Sequence, residues 1–388
     1  MSESVRQSLA LSYFDSKIVS LRWQKLPAMD PRIREHAEII ASHSVDLQAG
    51  DNVVIDAHPV AEDLVVALHE VVGDYGANPL TTTQRAGKRQ RRAFLRAADG
   101  EFETPEHELA LIEHTDVYIA IRASDNVTQT SDVDPETSAA YQQAKRPILE
   151  ERLGKRWCLT QYPAPANAQL AELSTEVYEN FVWDAVNKDW EEQREHQANM
   201  VEILDPAEEV RIKSGDTTDV TMSVDGNPTI NDHGEHNLPG GEVFTAPEPD
   251  SVEGEVLFDM PLYHQGREIT DVYLEFEGGE VVQHSAAKNE DVLTEVLNTD
   301  DGARRLGELG IGMNRDIDRF TYNMLFDEKM GDTVHMAVGR AYDDTVGEGN
   351  EANDSAVHVD MIVDMSEDSF IEVDGERVQE DGTFVFEE

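Results

Sequence analysis

Two hydrophobic periodicities follow one another along this chain, and their order restricts its architecture more than any other feature. From Met29 to about residue 204, amphipathic helices alternate with short β-branched strands. Asp30-Pro31 opens the first helix, with Asp30 as N-cap and Pro31 in the first turn. Strands are expected at 51–55, 79–81, 117–121 and 157–162. Between the first two, Leu64, Val65, Leu68, Val71 and Val72 recur at helical spacing and stop before Gly76. Such alternation predicts a parallel sheet of βαβ units. None of its turns carries a glycine-rich dinucleotide fingerprint, so no nucleotide site is expected. One long helix, 174 to about 204, leads out of this layer.

After Asp205-Pro206 the texture becomes strands and tight turns. Residues 211–213, 220–224, 255–258 and 272–277 alternate as half-buried strands do, and Gly278-Gly279 supplies a hairpin turn into a strand from 280. A helix is expected near 290–297, and a closing hairpin pairs 370–375 with 382–386. The expected fold is therefore an α/β N-terminal domain with a parallel sheet (29–205) and a β-rich α+β C-terminal metal-binding domain (206–388). A length of 388 residues suits two such domains.

The surface is set by charge. Eighty acids against 31 bases give a net charge of −49, yet 39% of residues are apolar, enough for packed interiors. Such a charge excludes nucleic acid and anionic membranes as partners. Only 9 of the bases are Lys and 22 are Arg, a composition that fits a cytoplasm of molar potassium salt. There a Debye length of about 3 Å screens self-repulsion. A halophilic, cytosolic protein is expected. Cys158 is the only cysteine and lies in an expected strand, which rules out internal disulfides and thiolate metal clusters.

Candidate metal ligands follow from carboxylates and imidazoles in apolar company, where an ionised group is costly unless paired or bound to metal. His335 lies in Thr333-Val334-His335-Met336-Ala337-Val338-Gly339, Glu242 in a turn-rich apolar strip, and Glu308 in Arg305-Leu306-Gly307-Glu308-Leu309-Gly310. In a strand, His358 and Asp360 project from one face. Each has a simpler reading: a satisfied core histidine, acids turned to solvent, and a chance His-x-Asp pair. Together they form an oxygen and nitrogen donor set suited to one or two ions of Zn, Co or Mn and to metal-assisted hydrolysis.

The run Asn237-Leu238-Pro239-Gly240-Gly241-Glu242-Val243-Phe244-Thr245-Ala246-Pro247 resembles the Asn-x-Pro-x-Gly-Glu-Val-[Phe/Tyr]-Thr-x-Pro signature of the thermophilic metallo-aminopeptidases. The likeness continues through Leu306-Gly307-Glu308, Leu325-Phe326-Asp327-Glu328, the stretch from His335 to Tyr342, and Ser355 to Asp360, and it begins at Asp30-Pro31-Arg32. It implies a dinuclear exopeptidase, expected to be a homodimer, that releases N-terminal residues from peptides with a free N-terminus by metal-activated water. By the same likeness, Glu242, Glu308, His335, His358 and Asp360 fall on ligand positions for two divalent ions. Tyr342 falls on the active-site tyrosine, a donor to the tetrahedral oxyanion, and Glu328 on an acid that carries the proton to the leaving amine. A metal-dependent hydrolase of another amide and a non-catalytic acidic binding module are the alternatives.

Residues 1–28 carry a net charge of +2, against the trend of the chain, and the likeness starts only at Met29-Asp30-Pro31. Residues 1–28 are accordingly expected to be an extra segment outside the working enzyme, with Met29 the true initiator; the alternative is a basic arm that folds against the acidic body.

Overall fold

The computed structural model describes residues 29–83, 87–264 and 267–387, so the expectation for residues 1–28 falls outside the described residues. The α/β pattern folds as its periodicity predicts. Asp30 caps the helix Pro31–Ile39 by accepting from Arg32 N at 2.9 Å. The strands β1 (Asn52–Ala57), β2 (Asn78–Thr83), β3 (Val117–Arg122) and β4 (Arg156–Gln161) pair in parallel. Alternation on β3 decides which side faces what: Val117, Ile119 and Ile121 are buried, whereas Tyr118, Ala120 and Arg122 point to the other face. Against the first face pack the helices Pro31–Ile39, Glu62–Tyr75 and Thr175–Val186, which bury Ala37, Leu64, Leu68 and Val182 completely. Truncating one of these leucines costs about 2–5 kcal/mol. Cys158 is fully buried in this core, and burial pushes its thiol up to about 12.

One expectation fails here. The helix predicted over 174–204 is two helices, Thr175–Val186 and Trp190–Leu204. Asp189 breaks it, because its carboxylate accepts from Glu191 N and Glu192 N and starts a new first turn.

Beyond residue 205 the strands are β5 (Glu209–Ser214), β6 (Thr218–Ser223), β7 (Ile230–Asp232), β8 (Asn237–Leu238), β9 (Glu242–Thr245) and β10 (Glu253–Phe258). There follow β11 (Leu262–His264), β12 (Arg267–Ile269), β13 (Val272–Glu277), β14 (Glu280–Ser285), β15 (Leu306–Gly312) and β16 (Thr333–Gly339). The last are β17 (His358–Asp364), β18 (Ser369–Val373), β19 (Glu376–Glu380) and β20 (Thr383–Phe384). β8 adds in parallel to β4 and completes the first sheet in the order β2-β1-β3-β4-β8, so chain from beyond residue 205 belongs to that layer. An antiparallel sheet, β14-β13-β10-β6-β5-β18-β19-β20, packs over a core shared with a second one, β17-β16-β15-β9-β7. Gly278 and Gly279, with φ of 56° and 78°, turn the expected β13–β14 hairpin. The closing hairpin differs from expectation: β18 pairs with β19, and β20 joins β19. Asp374-Gly375 is the first turn, so residues between the two expected strands form one of their own.

Candidate metal centre

The five-stranded antiparallel sheet places every expected ligand on one face. Register sets Glu308 opposite Ala337, Gly310 opposite His335 and Phe244, and Gly312 opposite Glu242. On the far side of β16, Ala337 faces Asp360 and Gly339 faces His358. Since side chains alternate along a strand, Glu242, Glu308, His335, His358 and Asp360 share one surface. Leu309, Ile311, Val334, Met336, Val338, Val359 and Met361 point the other way into the core. The rhythm of Leu-Gly-Glu-Leu-Gly-Ile-Gly on β15 is thus an apolar face alternating with a polar face hollowed by glycine.

The hollow is needed. A Cβ on Gly310 would lie 2.0 Å from His335 Nε2 and 2.1 Å from Cε1, so the imidazole occupies the space where any side chain would stand. At the other end, Gly241 holds a φ of +119° immediately before Glu242, and a Cβ there would meet that of Asn314 at 2.4 Å. The Gly240-Gly241 pair of the sequence motif therefore lets the backbone pass Asn314 and deliver Glu242 onto the sheet.

Glu242 and Glu308 are each 5% exposed and His335 is fully buried, so the two acids do not turn to solvent. His335 Nε2 lies 3.2 Å from Glu308 Oε1 and 3.3 Å from Glu242 Oε2. His358 Nε2 is 3.3 Å from Asp360 Oδ1 and 3.8 Å from Glu308 Oε2, while its Nδ1–H donates to the Arg340 carbonyl at 2.7 Å. That bond fixes the ring with Nε2 toward the acids, as in many metal-binding histidines. Glu308, His335 and Asp360 bring ligand atoms within 4.8 Å of one another. Glu242 Oε2, Glu308 Oε2 and Asp360 Oδ1 are buried without a hydrogen bond. Three buried oxygens without donors, facing imidazole nitrogens, fit a divalent cation.

The charges of the cluster shift one another's titration. Desolvation pushes Glu242 up to about 7, against the pull of Lys329. Desolvation opposes protonation of His335 and His358, yet the surrounding carboxylates raise them to about 9 and about 10. Asp360 is also desolvated, but His358 and His335 hold it down to about 2.

Of the two expected catalytic groups, Glu328 follows the helix Met324–Asp327 at the edge of the cluster. Asp327 builds that turn, accepting from Thr321 N and Asn323 N at 2.8 Å each and from Thr321 Oγ1 at 2.7 Å. Tyr342 stacks at an angle on His358, with ring centroids 4.9 Å apart, and is 46% exposed at the rim. Burial of its hydroxyl end and then the nearby carboxylates Glu308, Asp360, Glu328 and Glu242 raise its pKa, so it stays a donor.

Lys329 escaped the sequence analysis. It is fully buried, with Nζ donating to Glu242 Oε1 at 2.8 Å and to Glu328 Oε1, and lying 3.7 Å from Asp232 Oδ2. A signal was present: one of nine lysines in a lysine-poor chain lies between Phe326 and Met330. Asp232 keeps about 10% of its side chain exposed, and desolvation raises it to about 7.

The chain is similar to known proteins. "Aminopeptidase 2" of Geobacillus stearothermophilus is 28% identical over 417 residues, spanning 93% of this chain and 96% of that protein. The structure of AmpT from Thermus thermophilus superposes with a TM-score of 0.79 at 25% identity, covering 92% of this chain and all of that one. A 2,5-dihydroxypyridine dioxygenase from Pseudomonas putida shares the fold at a TM-score of 0.57 and 13% identity, covering 91% of this chain and 96% of its own. That last likeness shows that the fold alone does not fix the chemistry. The family described as thermophilic metalloprotease (M29) matches residues 29–388, and this chain belongs to it.

Proposed function

We propose that this protein is an aminopeptidase that binds two divalent ions of Zn, Co or Mn and releases the N-terminal residue of peptides with a free amine. The observation that carries the reading is the set of buried carboxylate oxygens without donors on one sheet face beside His335 and His358. Glu242, Glu308, His335, His358 and Asp360 would hold the ions. When bound, such ions polarise a carbonyl and lower the pKa of water toward about 7.

The chain's own groups supply the rest. Glu328 Oε atoms accept a proton and return it to the leaving amine; burial raises this acid while Lys329 pulls it back, which keeps it a usable base. Lys329 offsets the negative charge of Glu242, Glu328 and Asp232. Tyr342, held protonated, donates to the developing oxyanion from the rim. Residues 29–205 would then support substrate access and 206–388 the chemistry, with a homodimer as the working form. No described helix is long and apolar enough to cross a membrane.

Peptides with a free or an acetylated N-terminus, assayed with added metal, separate the readings. Cleavage of the free-amine form alone supports an aminopeptidase. Cleavage of both points to a different amidohydrolase, and cleavage of neither to a binding module. Light scattering of the purified protein tests the dimer.

A further inference from the structure

The parallel sheet carries a second built feature that the metal cluster does not use. In the order β2-β1-β3-β4-β8 the winding reverses between β1 and β3. Ligands of open parallel sheets bind toward the carboxyl ends of the strands at such a point. A cavity of about 290 Å³ runs along one face of the sheet beside this point, lined by Asp56 of β1, Tyr118, Ala120 and Arg122 of β3, Trp157 of β4, and Arg152 from the helix Pro135–Leu153, and of the β3 residues only Arg122 stands at the carboxyl end.

Its two arginines, unlike most of those described, grip no carboxylate, a trait shared by Arg304, whose guanidinium instead donates to the Val281 carbonyl and Asn298 Oδ1. Arg34, Arg156, Arg211 and Arg315 all grip carboxylates. Among the described residues, neither Arg122 nor Arg152 has a carboxylate within 4 Å, although acids outnumber bases by 80 to 31. Asp56, the acid in the cavity, is already engaged, accepting from Thr82 Oγ1 at 2.9 Å and from the Tyr118 hydroxyl at 3.3 Å. Arg152 lies on the Tyr118 ring at 5.2 Å, and its Nε is buried without a hydrogen-bond partner. Two neighbouring guanidinium groups repel unless an anion joins them.

From Arg122, at one end of the cavity, a chain of contacts leads toward Glu328. Arg122 is in register with Gln161, whose side-chain oxygen accepts from Asn323 Nδ2 at 3.4 Å. Asn323 immediately precedes the helix Met324–Asp327, which Glu328 follows. Confinement lowers the Arg122 pKa and Arg152 lowers it further, while Glu328 acts in the opposite sense.

We propose that Arg122 and Arg152 bind the C-terminal carboxylate of a short peptide whose free amine and scissile bond lie at the Glu308–His335–Asp360 cluster. This rests on the aminopeptidase reading and adds a substrate class to it: short peptides with a free C-terminus. The guanidinium fork matches a carboxylate bidentately. In molar salt, where charges farther apart than about 3 Å are screened, direct contact of this kind is what still discriminates.

The test compares kcat/KM for a tripeptide and its C-terminal amide at one fixed salt concentration. The free acid is expected to be favoured at least about tenfold, mainly through KM, as for a charge-assisted hydrogen-bonded pair. Arg122→Gln and Arg152→Gln should each bring the ratio toward one, and Arg122→Lys should keep part of it. Equal values for acid and amide in the wild type, or a ratio unchanged in both Gln variants, would overturn the proposal. Calorimetric binding of the N-acetylated tripeptide and its amide gives a readout independent of hydrolysis. Tighter binding of the acid, lost in Arg122→Gln, supports the site even if no peptide is cleaved, an outcome that overturns the aminopeptidase reading alone. Inorganic phosphate that stabilises the protein but fails to compete with the acid tripeptide would assign the arginines to a separate anion and overturn the peptide assignment.

Discussion

Replacing Gly310 by alanine tests whether the glycine hollow under His335 shapes the metal centre. The added Cβ would start 2.0 Å from His335 Nε2 and 2.9 Å from Cδ2. Ordinary contact begins near 3.4 Å, so the ring must retreat by more than about 1 Å. It has little room to do so: His335 is fully buried, and its strand is hydrogen-bonded on both sides by β15 and β17. Forcing one methyl into such a site costs about 1–3 kcal/mol. Metal ligands tolerate only about ±0.2 Å, so under the proposed metal reading the displaced nitrogen would leave coordination. The expected result is a melting temperature lowered by a few degrees together with a loss of at least about 100-fold in metal affinity and peptide hydrolysis. This loss exceeds the 10–100-fold typical of disturbing a ligand's outer contacts. Metal content after dialysis, measured beside activity and thermal unfolding, checks it. Gly73→Ala is the control, because no atom lies within 4 Å of its would-be Cβ and it sits in the helix Glu62–Tyr75. There the change should be neutral or slightly stabilising. Full metal occupancy and wild-type turnover in Gly310→Ala would refute the reasoning.

Lys329→Met strips the buried ammonium from Glu242, Glu328 and Asp232 and should destabilise the metal-free protein by about 3–5 kcal/mol. Added metal should then raise the melting temperature of the variant more than that of the wild type; equal gains by calorimetry would contradict the charge-offset role. His36 is fully buried, and desolvation lowers its pKa from 6.5 to about 3. A pKa depressed in the folded state contributes stability above pH 6.5 that is lost as pH falls toward 3, about 2 kcal/mol of it by pH 5. His36→Gln should therefore show a flatter fall in melting temperature between pH 7.5 and 5 than the wild type, and parallel curves would dismiss the effect. With a net charge of −49, stability should drop sharply as potassium chloride falls from molar to about 0.1 M, where the Debye length reaches about 10 Å. A melting temperature unchanged across that range would contradict the screening argument.

By itself the sequence determined what is local and periodic. The caps, the βαβ alternation and the strands of the C-terminal half follow from spacing and turn chemistry, because each depends on neighbours a few residues away. That Glu242, Glu308, His335, His358 and Asp360 belong together was legible because a charge among apolar residues is costly and because they stand in motifs of fixed order; the structure sets them on one sheet face. The break at Asp189 and the strand β19 were not: a capping carboxylate inside a helical pattern, and a short strand between two stronger ones, alter periodicity too little. What only the tertiary structure decided is register. Pairing Gly310 with His335 and Ala337 with Asp360 turns isolated polar residues from four strands into one surface. It also makes Lys329 the counter-ion of three acids and sets Arg122 beside Arg152. Sequence spacing carries no information about which strands lie side by side. The apolar faces, buried together in one core, fix that choice, and a slip of one residue would turn each of these side chains into the interior.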